Sequence, residues 1–135
     1  MRTYHPDYTK WGISRERYNE LRAFCRQYPE WKAAAASLLG VGAQSYSAGS
    51  RGSDVPDPVA RLVEKREITL RKIDTVERVA RMVDNGRWYA VIIQNVCMGR
   101  ALDYIDVALM PTSHRQEYFR RRREFFILLD TELLR

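Results

Sequence analysis

Pro111-Thr112-Ser113-His114-Arg115-Gln116 opens a segment that runs through Tyr118-Phe119-Arg120-Arg121-Arg122-Arg123-Glu124 into Phe125-Phe126-Ile127-Leu128-Leu129. A Pro-Thr-Ser turn, then arginines flanked by aromatics, predicts a helix that meets a polyanion at one end and a protein core at the other. At about 100° per residue, Tyr118, Phe119, Phe125, Phe126, Leu129 and Leu133 share one sector and should face the core. Ser113, Gln116, Glu117, Arg120 and Arg123 fall on the opposite side. Arg115 and Arg122 project toward the apolar sector, which suits ion pairing or snorkelling better than base reading. Asp103 or Asp106 is the expected partner.

Upstream, Gly99 should end one helix, and Ala101 to Leu109 reads as a short bracing helix with Leu102, Ile105, Ala108 and Leu109 on one side. Met110-Pro111-Thr112 then makes a turn, with Thr112 or Ser113 as N-cap. That pattern predicts a helix-turn-helix whose second helix enters the major groove. Its candidate DNA-binding residues are Thr112, Ser113, Gln116, Arg120, Arg121 and Arg123. Gln116 and Arg120, one turn apart, could address adenine and guanine edges. Thr112 and Ser113 would offer helix-terminal amides to a phosphate, and Arg121 and Arg123 would neutralise flanking phosphates. The competing reading is a solvated basic face, against which only Glu117 and Glu124 interrupt the positive run.

The rest of the chain also reads as helix, giving an all-α fold of N-terminal helical arm, flexible Gly/Ser loop, long helix and C-terminal helix-turn-helix. Residues 1–40 form the arm, 41–57 the linker and 58–135 the helix-turn-helix domain. The first dozen residues, with Tyr4, Pro6, Tyr8 and Trp11, lack periodicity and read as extended. Ser14 should cap a helix carrying Tyr18, Leu21, Phe24, Cys25 and Tyr28 on one side, which Pro29 stops or bends. A second helix is expected from Glu30 to Leu39, with Trp31, Ala34, Ala35 and Leu38 inward. Gly49-Ser50-Arg51-Gly52 lacks both the Gly-Lys-Ser/Thr ending and the preceding strand of a phosphate loop.

Asp57-Pro58 opens the long helix. Leu62, Thr69, Ile73, Val76, Ala80 and Val83 recur along it at three- and four-residue steps, interrupted at Arg66. The row packs either on the chain's own helices or across a dimer. Asn85-Gly86 should end it in a left-handed turn. Trp88 to Val96 is apolar almost all round and reads as a core helix.

The chain has 135 residues and a net charge of +6, from 23 Lys+Arg against 17 Asp+Glu. Five of the nine residues from Arg115 to Arg123 are arginine, so the charge is clustered as nucleic-acid binding requires. No apolar stretch approaches the ~20 residues that span a bilayer, and no signal peptide is evident. Cys25 and Cys97 lack metal-ligand spacing and read as small buried hydrophobes in a reducing cytoplasm. His5 and His114 complete no zinc or catalytic set, so no metal, cofactor or enzymatic activity is expected.

The segment from Tyr104-Ile105 through Met110-Pro111 to Tyr118–Asp130 resembles the C-terminal signature of phage-encoded proteins related to the ArpU and RinA late-gene transcriptional regulators. Tyr18–Leu21 and Phe24–Lys32 resemble an arm found in such prophage proteins. The resemblance implies a helix-turn-helix like sigma factor region 4, with double-stranded DNA as partner, acting as a homo-oligomer or by touching host RNA polymerase. One departure is Tyr104-Ile105-Asp106-Val107-Ala108, where sigma-type proteins usually carry Glu-Ile-Ala. Two alternatives stand beside this reading. One is a packaging factor like a small terminase subunit; the other is a phage interaction module that inhibits a host nucleoprotein such as a CRISPR effector.

Overall fold

The computed structural model describes residues 8–44 and 57–134, with side chains as far as Ser37 in the first of these spans. The architecture is all-helical, and among the described residues there is no strand. The helices are α1 (Arg15–Arg26), α2 (Tyr28–Gln44), α3 (Pro58–Met82), α4 (Tyr89–Ile92) and α5 (Arg115–Leu133).

Ser14 caps α1 as its sequence predicts, its hydroxyl accepting from the Arg17 amide at 3.1 Å. The inner row Tyr18, Leu21 and Cys25 is buried. Pro29 fits within the first turn of α2, where no amide is required of it, so the chain bends at Gln27 and helix resumes. α2 then continues to Gln44, past the expected end at Leu39 and into the expected linker. Trp31 and Ala35 are buried and Ala34 is half-buried. The side chain of Leu38, the Gly49–Gly52 segment, and Tyr4, His5 and Pro6 lie outside the described residues.

Asp57 caps α3, accepting from the Val59 amide at 3.0 Å. Thr69, Ile73, Val76, Ala80 and, just past the end, Val83 are buried, and α3 packs along α2 and α5. The apolar row is therefore covered by the chain's own helices. Leu62 is only half-buried. Arg66 interrupts the row with a buried Nε that has no hydrogen-bond partner among the described residues.

Three consecutive left-handed residues follow: Asp84 (φ 47°), Asn85 (φ 54°) and Gly86 (φ 82°). Asp and Asn tolerate this region because their short polar side chains bond locally. Asp84 does so by accepting from the buried Trp88 indole at 3.0 Å. α4 widens into one π turn, Ile93–Cys97, and Gly99 (φ 74°) ends it. Trp88, Val91, Ile92, Val96 and Cys97 are all buried.

The bracing helix expected over Ala101–Leu109 does not form. Two 3-10 turns, Leu102–Tyr104 and Val107–Leu109, stand in its place, separated by extended backbone at Ile105. Asp106 explains the break, since its carboxylate captures the Ala108 amide at 2.9 Å and starts a new turn. Nor does packing favour a helix: Ile105 is buried, while Tyr104 is 80% and Val107 83% exposed. A nine-residue helix without a buried face has little to stabilise it. The helix-turn-helix therefore lacks its first helix. α5 also starts later than expected, at Arg115, with His114 as a cap that makes no side-chain bond. Thr112 instead accepts from the His114 amide at 3.3 Å, ahead of the helix.

Within the first dozen residues, expected to be extended, a 3-10 turn forms at Thr9–Trp11, and Tyr8 and the following Ile13 are buried. Tyr8 meets the rings of Tyr18 (5.2 Å) and Phe126 (6.4 Å). The N-terminal segment thus shares one hydrophobic core with α3, α4 and α5. Cys25 and Cys97 are buried free thiols. The neighbouring Cys97 thiol, reinforced by burial, pushes the Cys25 thiol well up. Among the described residues no helix is long and apolar enough to cross a membrane.

Candidate nucleic-acid interface

The arginine run of α5 separates into four environments. Arg121 lies 20% exposed among Glu117 (3.1 Å), Glu124 (3.2 Å) and Asp84 (3.6 Å). Its charge is spent on three carboxylates, so it fastens α5 to the left-handed turn and has little left for a phosphate. Arg120 is exposed and pairs with Glu117 at 2.8 Å. Arg123 is half-buried, its guanidinium 4.6 Å from the Trp11 ring. Arg122 turns inward, 4.8 Å from the Phe119 ring, and donates to Asn95 Oδ1 at 3.2 Å. Tyr118 donates its hydroxyl to the same Asn95 oxygen at 2.7 Å, and burial holds that phenol protonated to unusually high pH.

Of the other residues expected to contact DNA, Ser113 and Gln116 are exposed and Thr112 is half-buried before the helix. Gln116 and Arg120 do share an exposed stripe one turn apart. Glu117 and Glu124 border that stripe and draw down its positive field.

A second concentration of arginines, bordered by a single carboxylate, lies between α1 and α5. α1 sets Tyr18, Arg22 and Arg26 in one row at four-residue steps, and α5 sets Arg115, Phe119, Arg122 and Phe126 in another. Both rows line a cavity of about 610 Å³, closed on its third side by the stretch from Asn95 to Asp103. The turn that carries Arg100 is stitched down at both ends. Its amide donates to Gln94 O at 2.9 Å, and its carbonyl accepts from Asn95 Nδ2 at 2.9 Å.

Gly99 lets Arg26 approach closely, because a Cβ there would collide with Arg26 Nη1. Five arginines therefore line the cavity (Arg22, Arg26, Arg100, Arg115 and Arg122) against one carboxylate, Asp103. Asp103 pairs with Arg115, as the position of Arg115 on its helix predicts. Among the described residues, Arg22, Arg26 and Arg100 have no carboxylate within ion-pair distance.

Arg22, Arg26 and Arg100 were not among the sequence candidates. The signal for the first two is the four-residue row Tyr18-Arg22-Arg26 beside the buried Tyr18, Leu21 and Cys25. Arg100 has no comparable signal, since only the fold brings its turn between the two rows.

Comparison with protein-family models, curated proteins and solved structures gives no match. Among the described residues, no three His, Cys, Asp or Glu side chains converge on a metal position.

Proposed function

We propose that this protein binds DNA, and that the cleft between α1 and α5 receives the phosphates. The observation that supports the reading is the convergence of five arginines with one carboxylate on a single cavity. Like charges held together oppose folding unless an anion joins them. At Arg121 three carboxylates supply that relief. Guanidinium forks match phosphate oxygens in bidentate geometry, which makes a phosphate chain the fitting counter-charge. Gln116 and Arg120, exposed beside each other on α5, are the candidates for base contacts. The resemblance to phage late-gene regulators makes transcription the process such binding would serve.

A second reading, a protein-interaction module, draws on the exposed Tyr104 and Val107. These side chains offer apolar area on a segment held only by short turns.

Fluorescence anisotropy of labelled DNA against salt tests the proposal. With about four net charges engaged, log affinity should fall with log salt at a slope of roughly −3 to −4. Joint replacement of Arg22 and Arg26 by Glu should weaken binding at least about tenfold without lowering Tm, because both side chains are exposed. Absence of DNA affinity at low salt would refute the reading and leave the interaction module.

A further inference from the structure

Resting on that DNA-binding reading, we infer that the cleft grips an unpaired phosphodiester strand rather than the ridge of an intact duplex. The shape carries the inference. Duplex readout needs a convex element that enters a groove, such as a helix braced by a second helix. Here the brace is replaced by two 3-10 turns, and the outward stripe of α5 is bordered by Glu117 and Glu124. Arg22, Arg26 and Arg100, which face no acid among the described residues, line a concavity that a single strand can enter.

Strand-binding grooves combine guanidinium walls that track phosphates with aromatic surface for bases. Arginines stand on both walls, Arg22 and Arg26 on α1 and Arg115 and Arg122 on α5, and the half-buried Phe119 supplies aromatic surface on the α5 side. Arg22 and Arg26 stand about 6 Å apart along their helix, so they address successive positions on one strand. The volume of about 610 Å³ lies within the roughly 300–1,000 Å³ of sites that enclose one small ligand, which suits a nucleotide or two. Asp103 then has a defined role at the mouth. It holds Arg115 by an ion pair between two exposed side chains, which an entering phosphate can displace.

The test compares three labelled oligodeoxynucleotides with the full chain: a single strand, a blunt duplex, and the same duplex with a single-stranded overhang. The strand and the overhang should bind at least about tenfold tighter than the blunt duplex, with a salt slope for the strand of roughly −3. Arg26→Glu should remove that preference, while Arg120→Glu on the outer stripe should leave it. Asp103→Asn should tighten strand binding several-fold by releasing Arg115, a gain that a purely structural role for Asp103 would not produce. Equal affinity for blunt duplex and strand, or equal losses from Arg26→Glu and Arg120→Glu, would overturn the inference while leaving DNA binding intact. Failure of all three probes to bind would remove both.

Discussion

Asp84 is where the backbone pays for a connection between α3, α4 and α5, and replacing it by Ala should be costly. Its carboxylate accepts from Trp88 Nε1 at 3.0 Å and Arg87 at 3.2 Å, and it lies 3.6 Å from Arg121. Trp88 is 1% exposed, so no water can take over its indole donor. An orphaned buried donor costs about 1–3 kcal/mol. Ala at φ 47° adds about 1 kcal/mol, because it has no side-chain bond to offset the left-handed conformation. The Arg87 pair is exposed on the arginine side and contributes little. The sum is about 2–4 kcal/mol, which for a chain of this size lowers Tm by about 8–15 °C.

Two companion variants separate the causes. Asp84→Gly loses the same bonds but relieves the backbone, so it should cost about 1 kcal/mol less than Ala. Asp84→Asn keeps an acceptor for the indole and tolerates the conformation, and should be the mildest of the three. Circular dichroism melts and urea titrations read all of them. If Asp84→Ala and Asp84→Asn melt together, or Ala costs under about 1 kcal/mol, the indole bond is not what holds the turn.

Phe126→Ala should cost about 3–5 kcal/mol, because that ring is 1% exposed and meets Tyr18 at 5.0 Å and Phe125 at 5.4 Å; an unchanged Tm would place it outside the core. Arg121→Gln should lower stability by about 1–3 kcal/mol by leaving Glu117, Glu124 and Asp84 facing one another, and should leave the salt slope of DNA binding unchanged. A slope lowered by about one would show a phosphate contact instead. Stability should fall as pH rises past about 10, where free phenols ionise. Burial raises the folded-state pKa of both Tyr28 and Tyr118, and the 2.6 Å bond to Glu77 raises that of Tyr28 further. Their contribution is therefore complete below the unfolded phenol range and is lost above it. Tyr28→Phe and Tyr118→Phe should each flatten the alkaline decline in Tm, and an unaltered decline would assign it to other groups.

Helices with a buried row and a local cap were legible. Ser14 and Asp57 announce α1 and α3, and Tyr118, Phe125, Phe126 and Leu129 mark the inner side of α5. Such signals are contained within a turn or two of chain. The stretch from Ala101 to Leu109 was misread because Leu102, Ile105 and Leu109 satisfy helical spacing, whereas Asp106 decides the backbone by bonding its own neighbour. Helical spacing sets Arg122 apart from Arg120, Arg121 and Arg123, but the partners that divide the run lie far away in sequence. Asp84 claims Arg121, Trp11 takes Arg123, and Asn95 takes Arg122. The cleft was hidden for the same reason: Arg26, Arg100 and Arg115 meet only after α1 and α5 have been placed around the turn that follows α4.

The packing of α1 also has a consequence for synthesis. Tyr18 rests on Phe126, and Arg17 Nε donates to Asp130 at 2.6 Å. Over a hundred residues separate these partners in the chain. At about 5–20 residues per second, the apolar side of α1 waits roughly 5–20 s on the ribosome before its mate appears. During that interval Tyr18 lacks the Phe126 ring, and α1 has only Tyr8, α2 and, later, the Ile93–Cys97 turn to pack against. A nascent chain stalled before Phe126 should consequently remain protease-sensitive throughout α1, and protection should arrive in a single step once α5 has emerged.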